Sequence, residues 1–288
     1  MSSDAIQHNI IEIFKKRRSV RTYKNQDLSQ EQKELIQKII NEANSLQTPF
    51  HSQGVEVSTT DPGLSRFGVI SNESGWIAEK IPIINNRENE GLTREKIIDA
   101  SFIAHYVLMQ LIPYGINTIW IAGSFNEGEA EKRFKGYKVP AVIAYGIEET
   151  KPHFMAKMIK TFGSKSTRLP FEQLFYDDDN KKTISENDFD PSNQNNYKPY
   201  LKDFLLSLQS GPSAMSQQPW RFVISGKEVH LFDVKENNYS AFDIGIALTN
   251  LYLLKEIRGG SCKFELKDPI PQNDPFGGKY IITTIYLE

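Results

Sequence analysis

The chain has 288 residues, with 34 basic and 36 acidic side chains and a formal net charge of −2. A nearly neutral chain creates no overall field that would favour nucleic acid or an anionic membrane, so we expect small-molecule partners. The single cysteine, Cys262, excludes an internal disulfide and a thiolate metal site, and it indicates a reducing compartment.

The N-terminal segment predicts a helix that ends in a cluster of cations. Ile6, Ile10, Ile11 and Phe14 recur at helical spacing, and Lys15–Arg18 follow where the helix dipole favours positive charge. Because no long apolar run is present, we expect neither a secretory signal nor a transit peptide. Two structural interpretations of the cations stay open, a solvated helix end and a nuclear-import-like basic patch.

A functional interpretation rests on the residues beyond this helix. Ser19 and Arg21 alternate with Val20, which is the extended pattern that points every second side chain the same way. Guanidinium and hydroxyl groups in this arrangement suit an anionic phosphate and an electron-rich ring.

The next segments predict alternating helices and strands. Ser29 and Gln32 form a capping-box pattern before an amphipathic helix, and residues 54–60 alternate like a strand. Thr93 caps a long helix that is apolar on most sides and is therefore predicted to be buried. Its most apolar window, residues 102–116, is expected to be too short and too polar to cross a bilayer.

Two apolar strands follow, and the first runs into a glycine turn. Residues 117–121 predict a strand that ends at Ala122 and Gly123, and residues 141–146 predict a central strand of a sheet. A basic segment at residues 165–170 comes next. The polar, acidic stretch at residues 177–198 is predicted to be a mobile surface loop.

The last third repeats this pattern. A helix at residues 200–209 leads into a tight Pro-Ser turn at residues 211–220, and two strands pair about Ser225-Gly226-Lys227. A helix begins at Asp243, and residues 280–287 predict the final strand.

Residues 17–23 and 211–222 together resemble the FMN-dependent nitroreductases. The family motifs run roughly Arg-Arg-Ser-x-Arg-x-Phe and Ala-Pro-Ser-Ala-x-Asn-x-Gln-Pro-Trp-x-Phe. They lie about twenty to thirty residues apart in the family, within the short connections of a compact domain, but about 190 residues apart here. Three further segments are similar to family motifs, namely residues 117–123, 165–170 and 243–251.

The long separation predicts an internal duplication. Similar helical segments start at Asp99 and at Asp243, 144 residues apart, which is half of the chain length. We therefore predict an α+β nitroreductase-like fold with two similar halves, residues 1–150 and 151–288, whose antiparallel-type sheets pack through long buried helices. The resemblance implies a monomeric pseudo-dimer with one FMN per chain.

The resemblance also implies roles for individual residues. Arg21 is expected near N1 and O2 of the flavin and the Gly123 N–H at N5, so these two are the predicted catalytic residues. Arg17, Lys165 and Arg168 are expected to hold the phosphate, with Ser19 adding a hydroxyl. The full predicted cofactor-binding set is Arg17, Arg18, Ser19, Arg21, Ala122, Gly123, Lys165, Arg168, Pro212, Ser213, Ala214 and Ser216.

The implied activity is an NAD(P)H-dependent FMN oxidoreductase, located in the cytoplasm, that passes electrons to a nitroaromatic, a quinone or a similar small acceptor by a ping-pong mechanism.

Two residues of the predicted site depart from the family motifs. Ser216 stands where the family usually has Asn, and Ala122 replaces a glycine, which is tolerable only without a positive φ. Two alternatives stay open, an FMN-binding protein without turnover and a cofactor-free scaffold for protein interaction. The five histidines show no metal-site spacing, so no metal is expected.

Overall fold

The computed structural model describes residues 10–83, 92–150, 168–190, 192, 197, 199–237, 239–258, 260–271 and 275–287. These residues divide into two compact units. The first unit comprises the described residues from 16 to 150, and the second comprises residues 10–15 together with those from 168 to 287. The predicted boundary at residue 150 adjoins residues outside the described part, so it stays a prediction.

The first unit contains a four-stranded antiparallel sheet in the order β1-β2-β5-β3, with the short β4 beside the end of β2. Its elements in chain order are α2 (Gln30–Asn44), β1 (Glu56–Thr60), β2 (Gly75–Pro82), α3 (Arg94–Leu111), β3 (Ile116–Ile121), α4 (Glu127–Arg133), β4 (Tyr137–Lys138) and β5 (Val142–Ile147).

Two helices of the first unit, α2 and α3, begin where the sequence predicts. Ser29 and Gln32 form the capping box of α2, and Thr93 caps α3 by accepting a hydrogen bond from the N–H of Lys96. The α3 helix packs against α2 and the sheet, so 13 of its 18 residues are buried. It is longer than the predicted apolar window. By length and composition Arg94–Tyr114 could cross a membrane, but 72% of its most apolar window is buried by protein, as in a core helix.

The second unit contains a six-stranded sheet in the order β10-β11-β9-β8-β6-β7, in which β6 runs parallel to β8 and the other pairs are antiparallel. Most of α1 (Ile10–Lys16) belongs to this unit. Its other elements are α5 (Phe171–Leu174), β6 (Phe175–Asp177), β7 (Lys182–Thr183), α6 (Pro199–Gln209), β8 (Trp220–Ser225), β9 (Glu228–Asp233), α7 (Ser240–Leu253), β10 (Ser261–Glu265) and β11 (Lys279–Leu287).

The predicted loop at residues 177–198 carries secondary structure in its described part. It contains β7 and a short 3-10 helix, Glu186–Phe189. Asp177 organises the turn before β7, because its carboxylate accepts hydrogen bonds from the N–H groups of Asp179 and Asn180. Hydrophobic periodicity does not reveal order that polar side chains create.

Both units repeat one topology, as the fold-class prediction requires. In each unit four main strands lie in the sheet in the order first, second, fourth, third, namely β1-β2-β5-β3 and β8-β9-β11-β10. In each unit the long helix, α3 or α7, separates the second strand from the third. The fold is therefore α+β with two similar halves.

Candidate functional site

The cationic segment after α1 is held in an extended conformation beside β3. The N–H of Val20 donates to the carbonyl of Thr118 at 3.0 Å, and Ser19 forms a parallel bridge with the same residue. Val20 is buried whereas Ser19 is exposed, which is the alternation expected from the sequence. The segment therefore presents its polar side chains on the face opposite the core.

Tyr23 anchors this segment. Its ring is fully buried, and its hydroxyl donates to the carbonyls of Val20 at 2.7 Å and Ala144 at 3.2 Å. Its N–H also donates to the carbonyl of Ser71. Burial raises the pKa of the Tyr23 hydroxyl, so this group stays protonated as a donor.

The predicted cations differ in their surroundings. Arg18 is exposed and forms an ion pair with Glu148. Arg21 is partly buried, and its guanidinium makes no hydrogen bond or ion pair with the described part of the chain. Burial lowers the pKa of Arg21, although the nearby Tyr23 opposes this effect. A partly buried cation without an anionic partner is a candidate for binding an anionic or electron-rich ligand. Arg17 is also partly buried.

The Ala122-Gly123 turn directly follows β3. Neither residue has a positive φ, so alanine fits this backbone without strain. Gly123 is exposed, and its N–H donates no hydrogen bond within the described residues. This donor is therefore available to a ligand.

Residues 66–71 form a loop that hydrogen-bonds to both predicted flavin-binding segments of the first unit, although the sequence analysis gave this loop no role. The N–H of Arg66 donates to the carbonyl of Ser124, directly after the glycine turn, at 3.2 Å. The N–H of Ser71 donates to the carbonyl of Arg21 at 3.1 Å. Residues 66–71 thus contact both the Arg21 segment and the turn.

The Pro-Ser turn of the second unit has an unusual backbone. Met215, Ser216 and Gln218 all have positive φ values, 48°, 58° and 44°. Such conformations cost about 1 to 3 kcal/mol each for residues other than glycine and persist only where the surroundings enforce them. The Ser213 hydroxyl oxygen accepts a hydrogen bond from the N–H of Gln218 at 3.0 Å, and Asp243 accepts one from the N–H of Ala214 at 2.9 Å.

Arg168 lies beside this turn, whereas Lys165 falls outside the described residues. The guanidinium of Arg168 donates to the carbonyls of Ser210 at 3.0 Å and Gly211 at 2.7 Å. Burial lowers the pKa of Arg168. Two of its donors therefore stabilise the chain between α6 and the turn, a role that the resemblance did not imply.

The sequence reasoning also did not assign a role to Gln218. Its side-chain oxygen accepts from the N–H of Leu169, and its side-chain nitrogen donates to the carbonyl of Gln209. The residue is fully buried. A buried amide after a Pro-Ser turn is the signal that could have identified it, because such groups need specific partners.

A cavity of about 1160 Å³ lies in the first unit, between the start of α2, the turn after β1 and the start of β2. Asp61, Glu73, Arg133 and Tyr145 are among the residues that line it. None of the predicted cofactor-binding residues lines this cavity. Its chemistry is mixed, with both signs of charge and two aromatic rings.

The chain is similar in sequence to one protein family and in structure to several solved proteins. A family model described as "Putative TM nitroreductase" matches residues 9–255. The structure of a "putative nitroreductase" from Thermotoga maritima is similar over 99% of both chains, with a TM-score of 0.59 and 18% identity, which shows a shared fold. The comparison with curated proteins gave no match.

Two smaller structures are similar to about half of the chain. A "putative nitroreductase in complex with FMN" from Exiguobacterium sibiricum has 17% identity and a TM-score of 0.40, and the match covers 50% of this chain and 91% of that one. A "putative NAD(P)H:FMN oxidoreductase" from Staphylococcus epidermidis has 14% identity and a TM-score of 0.41, covering 51% of this chain and 90% of that one.

Proposed function

Because the chain belongs to the nitroreductase family whose model matches residues 9–255, we propose that it is an FMN-dependent oxidoreductase. In this proposal it takes electrons from NAD(P)H and passes them to a nitroaromatic, a quinone or a similar small acceptor in a ping-pong sequence. One FMN binds per chain, and the protein works as a soluble, cytoplasmic monomer.

The main support for this proposal comes from the burial and hydrogen bonding of Arg21. Its guanidinium is partly buried and has no acceptor among the described residues. An arginine in this state is stabilised by a ligand that brings negative charge or several acceptor atoms. The polar edge of an isoalloxazine ring offers both.

Two further groups of the first unit fit the same ligand. The exposed Gly123 N–H donates no hydrogen bond to any residue that the structure describes, and the exposed Ser19 hydroxyl lies two residues before Arg21. The proposed FMN-binding residues of the second unit are Pro212, Ser213, Ala214 and Ser216. Their assignment, like that of Arg17, Lys165 and Arg168 to the phosphate, rests on the sequence motifs.

FMN, when bound, would supply the hydride and electron transfer. The protein's residues would bind and orient it. Arg21 would stabilise negative charge at the pyrimidine side of the ring, since a fixed cation there lowers the free energy of the charged form. Gly123 would donate its N–H to a ring nitrogen. In this proposal no side chain has to act as a general base, because FMN itself would accept the hydride. Arg21 and the Gly123 N–H would only orient the ring and stabilise its charge.

An absorption spectrum of the purified protein tests the proposal. We expect flavin bands near one FMN per chain, and loss of these bands when NADH or NADPH is added without oxygen. Protein that is colourless, that is not stabilised by added FMN and that oxidises neither nucleotide would contradict it and favour a scaffold. For comparison, FMN at 100 times its dissociation constant should add about 2.7 kcal/mol to the free energy of unfolding.

A yellow protein that does not oxidise either nucleotide would instead favour a flavin-binding protein without turnover. NADH and NADPH are tested separately, and the nucleotide that reduces the flavin faster is assigned as the donor.

A further inference from the structure

Two buried aspartates occupy equivalent places in the two units. Asp99 lies in α3 and Asp243 in α7, and these helices follow the second main strand of each repeat. Both side chains are almost inaccessible, with 0% and 4% of their surface exposed. Each carboxylate accepts hydrogen bonds from the backbone of the segment that precedes the first main strand of its own unit.

The two carboxylates differ in how many donors they receive. Asp99 accepts three hydrogen bonds, from the Thr48 hydroxyl at 2.9 Å and from the N–H groups of Phe50 at 3.0 Å and Ser52 at 2.9 Å. Asp243 accepts one within the described residues, from the N–H of Ala214 at 2.9 Å. The carboxylate of Asp99 is therefore well satisfied, whereas that of Asp243 has little compensation for its burial.

The raised pKa of Asp243 agrees with its smaller number of hydrogen-bond donors. Burial is the main cause that raises its pKa, to about 7, and the negative charge of Asp233 acts in the same direction. The bond from Ala214 opposes both effects. A carboxylate kept in so unfavourable a place suggests a role other than stability.

The segment that Asp243 holds is the strained Pro-Ser turn. Gln218, which is fully buried, fixes the far end of this turn through its side-chain amide. Between the two anchors Met215 is 80% exposed and has a positive φ. Within the turn, the N–H groups of Ser216 and Gln217 donate to the carbonyls of Ser213 and Ala214. The bond from Ala214 to Asp243 ties the first part of this turn to α7.

We propose that Asp243 is a positioning residue that fixes the backbone of Ala214 and so holds the Pro212–Ser216 turn in the conformation that binds FMN. Asp99, its counterpart in the first unit, holds a segment without the Pro-Ser pair and has a structural role only. This inference rests on the proposed function, because it names the turn as part of the flavin site.

The first test needs no flavin. Hydrogen exchange of peptides that cover residues 213–218 is compared between the unmodified protein, Asp243→Ala and the matched control Asp99→Ala. We expect at least tenfold faster exchange in Asp243→Ala and no change in the control. Equal exchange in Asp243→Ala and the unmodified protein would overturn the proposal, whether or not the protein binds FMN.

The second test measures the dissociation constant of FMN. Asp243→Ala should raise it at least tenfold, whereas Asp243→Asn, which keeps an acceptor oxygen, should restore it to within threefold of the unmodified value. Asp99→Ala should leave it unchanged below its own unfolding transition. An equal loss of affinity in Asp99→Ala, or no rescue by Asp243→Asn, would assign Asp243 a general structural role and refute the proposal.

If Asp243→Ala does not fold, Asp243→Ser replaces it in both tests, because a serine hydroxyl is too short to reach the same N–H. A failure of the proposed function has a different signature. In that case the unmodified protein binds no FMN, while the exchange experiment still decides whether Asp243 fixes the turn.

Discussion

Arg168 donates a hydrogen bond from Nη1 to the backbone carbonyl of Gly211 at 2.7 Å, in the chain between α6 and the Pro-Ser turn. A second bond, from Nη2, reaches the carbonyl of Ser210. The residue that the sequence motif assigned to a phosphate thus already binds the polypeptide itself. Its contribution to the stability of the folded chain can be measured separately from any role in binding the phosphate.

Replacing Arg168 by Met should destabilise the protein, because both carbonyls lose a charged donor. We expect the free energy of unfolding to fall by about 1.5 to 3 kcal/mol, the usual range for a hydrogen bond to a charged group. Urea denaturation measures it. Lys202→Met, which removes an exposed cation from α6, should have little effect. An Arg168→Met variant as stable as the parent would show that these bonds contribute little.

Replacing Arg21 by Ala should weaken FMN binding about tenfold or more, which corresponds to about 1.4 kcal/mol, because a partly buried cation is removed from the proposed ring site. It should also slow reduction of the bound flavin by NAD(P)H. Lys24→Ala is the matched control, since Lys24 is an exposed cation three residues further along and has no predicted role at the flavin. Unchanged affinity and reduction kinetics in Arg21→Ala would remove Arg21 from the proposed site.

Replacing Tyr23 by Phe should lower the free energy of unfolding by about 1 to 2 kcal/mol. The change removes one hydroxyl that donates to the buried carbonyls of Val20 and Ala144, and it leaves the ring in place. Thermal or urea denaturation gives the difference. Tyr114→Phe removes the hydroxyl of an exposed tyrosine in the same unit and should have no measurable effect. Comparable losses in both variants would contradict the anchoring role of Tyr23.

Glu79 should make stability depend on pH. Its side chain is fully buried, and burial raises its pKa from 4.5 to about 8, partly offset by a hydrogen bond from Ser101. Because the folded state holds this proton more tightly than the unfolded state, the free energy of unfolding falls as pH rises between these two values. The slope from this group is about 1.4 kcal/mol per pH unit.

Glu79→Gln should therefore remove this part of the pH dependence. The variant should gain stability relative to the parent as pH rises from 5 to 8, as measured by urea denaturation at several pH values. Glu95→Gln, which changes an exposed carboxylate of α3, should leave the slope unchanged. Parallel stability curves for Glu79→Gln and the parent would contradict the assignment.

Sequence patterns predicted the long helices and most main strands, because apolar periodicity and capping residues act locally, but they did not predict β2 or β10. The boundaries of α2 and α3 follow from Ser29 and Thr93, which cap them in the structure. The topology of the two sheets agrees with the predicted duplication, which in the sequence is indicated only by two similar helices and the order of the motifs.

Neither the backbone conformation of the Pro-Ser turn nor the hydrogen bonds of the two buried aspartates could be predicted from local sequence patterns. Met215 and Gln218 give no compositional sign of a positive φ, because glycine and asparagine are the residues that usually mark it. The different numbers of donors at Asp99 and Asp243 depend on the path of the preceding segment. Such long-range partners are visible only in three dimensions.

The repeated strand order, β1-β2-β5-β3 and β8-β9-β11-β10, has an evolutionary consequence. In a homodimer every mutation appears in both subunits, so a change that suits one surface also alters its symmetric copy. Two copies encoded in one gene can diverge separately. Thr48–Ser52 and Pro212–Ser216 are two such divergent segments, each held by its own buried aspartate. Selection can thus specialise one copy while the other preserves the core.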